Sequence, residues 1–289
     1  MADTLTMPAP KAGRLRETVR RIGTNPSLAL GLGGAALVLG VAVLGPLLWR
    51  QDPLLLSADT FSPPSLAHPM GTDDIGRDML ARVIAGARVS LTIGVLSALI
   101  AAMTGTVIGA VAGYAGGRWD GALMRVTELF QVVPRFLLAI VVVALFGNGQ
   151  LNVVLVIGLL SWVGTARIVR AQFQILRNEE FVLAAEMSGA RPVRVILRHI
   201  LPNVLPYLAV SVFLQMGAAI LVESFLSFIG LGNPERPSWG LLLQQAQLFL
   251  QSAWWLTAFP GAALFVTIFA LNLLGDSLSS ATGRGGTRN

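Results

Sequence analysis

The chain has 289 residues, with 21 basic side chains, 15 carboxylates, two histidines and two tyrosines, and no cysteine. Thiolate catalysis, disulfide frameworks and Cys-based metal sites are therefore excluded. A phosphate-binding Walker A loop needs a lysine followed by Ser or Thr after a glycine turn. The only lysine, Lys11, is followed by alanine. His68 and His199 stand far apart, neither has the Ser/Asp partners of a nucleophilic triad, and each reads as a turn or interface residue. The segment GTDDIGRD, residues 71–78, gathers three aspartates. Its D-D-x-x-x-D spacing lacks the ligand set and terminal Glu of a calcium loop, so it reads as a structural turn in which Arg77 pairs with an aspartate. Two charges remain that lie within apolar sequence, Arg135 and Glu223, the latter with Gln215 about two turns earlier. A charge held at mid-membrane costs on the order of 2.5–3.5 kcal/mol on insertion scales and should face a cavity or a partner. Two roles stand open for Arg135: lining a translocation path, or pairing with Glu128 nearer an interface. Glu223 is open between a pathway role and helix packing.

These charges matter because of what surrounds them. The composition is 54% hydrophobic and 12% charged, with a mean hydropathy of +0.69, which marks an integral membrane protein. A span needs about 20 apolar residues. Residues 28–48, 89–114 and 254–274 are uncharged or nearly so and give three spans, the first preceded by Lys11, Arg14, Arg16, Arg20 and Arg21 as in a retained signal anchor. Residues 136–166 are uncharged over a length too long for one span and too short for two, and GNGQLN at 147–152 supplies a turn. Two spans fit if the first starts near Val126 and the second ends near Ile168, which places Arg135 inside the membrane. Residues 204–231 complete a set of six.

Fifteen basic residues fall in the N-terminal segment, the 116–125 turn, the 167–198 segment and the tail, against five in the opposite loops. The positive-inside rule puts both termini in the cytoplasm. The domain reading is a cytoplasmic segment 1–27, a first helix and external loop 28–88, a five-helix core 89–276 carrying a hairpin 178–203, and a tail 277–289. Trp239, Trp254 and Trp255 read as interfacial anchors, and residues 241–250 as an amphipathic helix on the outer surface. The net charge of +6 speaks to topology and anionic lipid. Nucleic-acid binding is not expected, since the basic residues sit between apolar runs instead of on one face.

The segment LAAEMSGARPVRVILRHILPN, residues 183–203, is a basic, soluble-looking stretch between two apolar runs. Carboxylates at Glu179 and Glu180 open a helix and Gly189 closes it. Pro192 suits the first turn of a second helix, on which Arg194 and Arg198 lie four apart. The small residues Ala184, Ala185, Ser188 and Gly189 keep the first helix thin, so that it fits a groove in another protein. A plain cytoplasmic link whose arginines reach lipid headgroups is the alternative.

The spacing A-A-x-x-x-G, with a Leu-Pro whose proline lies thirteen residues on, resembles the EAA loop of bacterial ABC importer permeases. The match implies a coupling helix that docks in an ATPase subunit through Leu183, Ala184, Ala185, Ser188, Gly189, Arg191 and Arg194. Leu183 departs from the usual Glu, and His199, with Ile200 beside it, takes the usual isoleucine position. HPMGTDDIGRDMLARVIAGARVSL (68–91), SFLSFIGLGNPERPSWG (224–240), FPGAALFVTIFALNLLGD (259–276) and residues 117–140 resemble the C-type permease subunit of dipeptide, oligopeptide and nickel importers. The resemblance implies an all-α, six-span, type I importer permease fold in a bacterial inner membrane. It also implies a B-type permease partner, two ATPase subunits that hold ATP and Mg, and an extracytoplasmic binding protein. The chain itself is then neither an enzyme nor a cofactor carrier. Peptides are the expected cargo, with nickel or a metal chelate as the alternative. An ion-coupled secondary transporter is the rival mechanism, for which only Glu223 offers a coupling carboxylate within a late span.

Overall fold

A computed structural model describes residues 26–283. The arginine-rich N-terminal segment and the end of the tail lie outside the described residues. Within them the regular structure is helical, the one extended pairing being an isolated bridge between Thr72 and Asp78. The helices are α1 (Pro26–Leu48), α2 (Met79–Ala115), α3 (Gly117–Val132), α4 (Arg135–Phe146), α5 (Gln150–Leu176), α6 (Glu180–Met187), α7 (Pro192–Leu231), α8 (Trp239–Ala246) and α9 (Trp255–Gly283). Helices α1, α2, α5, α7 and α9 are each long and apolar enough to cross a membrane, and α3 with α4, bent by 79°, counts as a sixth span when the pair is taken together.

That bend falls at Pro134, the residue expected to open the helix beside Arg135. Pro134 has no N–H to donate four residues back, and its ring pushes the preceding residue out of the helical region. Val133 accordingly sits at φ −93°, ψ 129°. Helix α3 starts at Gly117, well upstream of Val126, and Arg135 is the first residue of α4.

Helix α2 starts ten residues before the expected span. Asp78 caps it by accepting the Ala81 N–H at 2.8 Å, and the same carboxyl receives the Trp49 indole and His68 Nδ1. Arg82 and Arg88 are therefore helical rather than in a loop. Arg88 has a definite task. Pro46, inside α1, cannot donate to the carbonyl of Ala42. Arg88 Nε takes over that role, donating to Ala42 O at 2.6 Å. An orphan carbonyl in hydrocarbon costs several kcal/mol, so the charge of Arg88 is retained on α2 to satisfy the break in α1.

The central contact is α2 against α5. Gly105, Gly109 and Gly113 recur every four residues on α2, and a Cβ at Gly105 would lie 2.7 Å from both Thr165 Cβ and Trp162 O. The backbones touch along this stripe, the small-xxx-small packing on which membrane helices rely because lipid offers no hydrophobic drive to associate. Around it, α9 packs on α1 and α7, and α7 packs on α2.

At the end of the bundle that carries Trp239, the 71–78 turn works as expected and reaches further. Asp73 receives Arg77 Nε at 2.7 Å and also the buried Arg82 Nη1 at 2.5 Å. Arg82 in turn donates to Gln245, within α8. The tryptophan expectation fails for two of three residues. Trp239 and Trp255 are 1% and 6% exposed, with indole N–H groups donating to Val83 O and Thr72 O. Only Trp254, at 59%, faces outward. Position beside an apolar run does not distinguish an interfacial tryptophan from one whose N–H finds a carbonyl inside. Helix α8 buries Leu241, Leu242 and Ala246 against the bundle, while Leu248 and Leu250 just after it are exposed.

Candidate docking hairpin and polar sites of the bundle

The polar excursion folds as two helices around a tight turn. Glu179 is the N-cap of α6 and Glu180 lies in its first turn, where carboxylates complement the exposed N–H groups. Gly189, at φ +78°, ends it. The Gly189 and Ala190 N–H groups donate back to Glu186 O and Ala185 O, the pairing a left-handed C′ residue allows. Pro192 is the first residue of α7, and the helix runs through a wider π turn at Ile196–Ile200 directly into the span. The Leu-Pro at 201–202 therefore does not interrupt it.

The hairpin is anchored by its own small core. Val182 from α6 and Val195, Ile200 and Val204 from α7 close with Val169 and Phe173 of α5, all fully buried. The opposite face of α6 is open. Leu183, Ala184, Ser188 and Gly189 are exposed, Ala185 is half-buried, and Arg191 and Arg194 flank them, also exposed. Met187, at 89% exposure, stands out from the same helix. A rigid base under a face of small, uncovered side chains is what a groove-docking helix requires.

Polar ties link this end to the turn between α2 and α3. Tyr114 Oη donates to Glu186 Oε1 at 2.9 Å. Arg177 Nη1 donates to Tyr114 O at 2.6 Å, and its guanidinium lies 5.5 Å over the Tyr114 ring. Asp120, in the first turn of α3, receives Arg170 through two nitrogens, at 2.5 and 2.7 Å. Sequence reasoning does not single out Tyr114, Asp120, Arg170 or Arg177. The one signal it offers is the i, i+4, i+7 spacing of Arg170, Gln174 and Arg177, which puts three polar groups on one stripe of a membrane helix.

Arg135 and Glu223 occupy different places. Arg135 lines a cavity of about 220 Å³ with Phe136 of α4, Ile157 and Ser161 of α5 and Val222 of α7. Glu128 does not pair with it, for the Glu128 carboxylate lies 3.6 Å from Arg125, and no ion pair to Arg135 occurs among the described residues. Gln215 lies near the same cavity, donating to Ser161 O at 2.7 Å. Glu223 is 2% exposed and does not line that cavity. Its carboxylate accepts from Ser227 at 2.7 Å and from Ser90 at 3.4 Å, and the neighbouring Ser238 caps α8. Hydroxyls rather than a cation surround it, which makes it a joint between α2, α7 and the α8 loop. His68 sits against Asp78 in the turn at one end and His199 in the π turn at the other. No group of metal-binding side chains occurs among the described residues.

Residues 105–284 match the family described as binding-protein-dependent transport system inner membrane component. The dipeptide transport system permease protein DppC of Bacillus subtilis is 38% identical over 275 residues, covering 94% of this chain and 86% of the relative. The oligopeptide transport system permease protein OppC of Haemophilus influenzae is 43% identical over 215 residues, 74% of this chain and 69% of the relative. The di/tripeptide permease DppC of Pseudomonas aeruginosa is 33% identical over 286 residues, 96% and 93%. Among solved structures, a chain of the inward-facing MetNI methionine ABC transporter superposes with a TM-score of 0.55 at 14% identity, over 71% of this chain and 97% of that one, a likeness of fold alone. With its apolar spans, its helical arrangement and a family match over most of its length, the chain belongs to the inner-membrane permease components of binding-protein-dependent transport systems, with the type I ABC importer permease fold.

Proposed function

We propose that this permease forms one half of a peptide translocation path, beside a B-type permease. Two ATPase subunits that hold ATP and Mg engage it on one side, and an extracytoplasmic binding protein delivers cargo on the other. The observation that carries the mechanism is the α6 hairpin, a helix with an uncovered small-residue face on a fully packed base. The excess of arginine at this end orients it and both termini toward the cytoplasm. Peptide cargo, rather than nickel or a metal chelate, is favoured by the names of the relatives and by a cationic side chain on the cavity between α4, α5 and α7.

In this scheme Leu183, Ala184, Ala185, Ser188 and Gly189 seat in an ATPase cleft, with Arg191 and Arg194 on its rim. ATP-driven closure of the partners moves the hairpin, and α7, whose first turns are the hairpin's second arm, carries the motion into the bundle. Arg135, at the uncapped start of α4, meets the cargo carboxylate. Gln215 holds the α5–α7 wall of the same cavity, and Glu223 shapes the path from behind through its serine joint. Ala184→Trp fills the docking face without touching the anchoring core. Loss of the ATPase subunits from the purified complex, with the permease still folded, is expected. Full retention and normal uptake would defeat the docking assignment. Arg135→Ala is expected to lower uptake of a free-carboxylate peptide about tenfold or more, the effect of losing one charge-assisted hydrogen bond of about 1.5–3 kcal/mol. Unchanged uptake by the assembled variant would remove Arg135 from the path.

A further inference from the structure

The α2–α3 turn is gripped on both sides by the last turns of α5 and its C-cap, Arg177. Before the turn, Arg177 holds the Tyr114 carbonyl and covers its ring. After it, Arg170 holds Asp120 in a two-nitrogen fork, with Gln174 Nε2 also reaching Asp120 at 3.3 Å. Glu186, on the hairpin itself, takes the Tyr114 hydroxyl. Between the two grips lie Gly116 and Gly117, at φ +65° and +51°, a pair of left-handed residues that side chains disfavour and that lets the chain swivel. A cleft of about 370 Å³, bordered by Gly117, Asp120, Arg177, Leu183 and Glu186, leaves room beside the turn.

What lies beyond the turn is an arm. Helix α3 is amphipathic and has a single buried residue, Thr127. At its far end the Val133–Pro134 break delivers Arg135 to the cavity. Helix α3 touches α5 through Phe130 against Trp162, at 5.5 Å between ring centroids, without the backbone approach of the α2–α5 seam.

We propose that Tyr114, Asp120, Arg170, Arg177 and Glu186 are positioning residues that make the broken helix a second output of the hairpin: movement of α6 and the end of α5 turns α3 about Gly116–Gly117 and displaces Arg135. This rests on the docking of α6 put forward above. It differs from transmission through α7 in a definite way, because cutting the grips leaves the hairpin, its core and its docking face intact.

The test uses the assembled transporter in lipid nanodiscs. The chain has no cysteine, so spin labels at Arg125→Cys on α3 and Val107→Cys on α2, both exposed sites, report the swing when the other subunits are also cysteine-free. The distance between labels is measured without nucleotide and in the vanadate-trapped state. A nucleotide-dependent shift is expected in the parent and is expected to vanish in Tyr114→Phe/Asp120→Asn. That variant should keep its ATPase subunits and basal hydrolysis and lose the stimulation of hydrolysis by the loaded binding protein. Exchanging the charges, Asp120→Arg with Arg170→Asp, should restore the shift. An unaltered shift in the double variant, or no shift in a parent that transports normally, overturns the inference while docking stands. If Ala184→Trp keeps its ATPase subunits, the docking assignment and the inference fall together.

Discussion

Adding one methyl group at Gly109 should destabilise the bundle by about 1–3 kcal/mol, the cost of overpacking a tight core. A Cβ there would overlap Ala166 O and lie 2.8 Å from Val169 Cβ and 3.0 Å from Arg170 N. Carbon contacts are optimal near 3.5–4.0 Å, so α2 and α5 must part by roughly an ångström, and a gap of about that size forfeits a quarter to a half of each contact. The upper part of the range applies because two of the three atoms are backbone, with no rotamer into which to retreat. Gly121→Ala is the control. It lies in helix α3, and an added Cβ meets nothing within 4 Å, so the entropy lost at glycine is recovered and about 0.5–1 kcal/mol of stability is expected in return. The assay is unfolding in mixed micelles against the mole fraction of SDS, followed by far-ultraviolet circular dichroism. Each 1.4 kcal/mol is a tenfold change in the folded-to-unfolded ratio. A Gly109→Ala midpoint at or above that of the parent would refute the view that backbone approach at this stripe holds the bundle together.

Three further outcomes follow from the geometry. Asp73→Ala strands the buried Arg82 guanidinium, whose other side-chain partner is Gln245, and should cost about 3–5 kcal/mol, since a buried charge loses its counter-ion; a thermal midpoint unchanged in detergent would contradict the pairing. Arg88→Leu leaves the Ala42 carbonyl without a donor and should destabilise by about 1–3 kcal/mol, whereas Pro46→Ala/Arg88→Leu restores the backbone N–H and should recover most of it; a double variant no better than Arg88→Leu would show that the carbonyl was not the reason for the arginine. Glu223→Ala removes the acceptor of at least two buried hydroxyls and should cost more stability than Glu223→Gln, which keeps an acceptor oxygen; equal losses in an SDS titration would argue against the serine joint.

The hairpin is legible in the order of residues because its signals are local. Carboxylates before Phe181, glycine at 189 and proline at 192 each act within one turn of their own backbone, and the helices start and stop where these residues require. The number of spans is legible for a similar reason: hydrocarbon thickness sets a length that uncharged runs must meet. Arg135 shows where this ends. Its place in apolar sequence marks it as costly, but whether it pairs with Glu128 or lines a cavity depends on the 79° bend at Pro134, which turns α4 away from α3. Trp239 and Trp255 show the same limit, for an indole N–H needs an acceptor and only the folded chain brings Val83 O and Thr72 O to it.

Composition and order along the chain are enough for a six-span membrane protein with an arginine-rich end and a thin helical hairpin, since hydropathy, charge balance and capping all act over short separations. Which polar side chains meet is settled by packing across the bundle. Asp120 finds Arg170 fifty residues on, Arg88 finds the carbonyl that Pro46 left open, and Glu223 draws in Ser90 from α2. Each pairing exists because close helix packing brings two backbones near enough for side chains to span the gap, a distance fixed by contact between helices and carried by no residue alone.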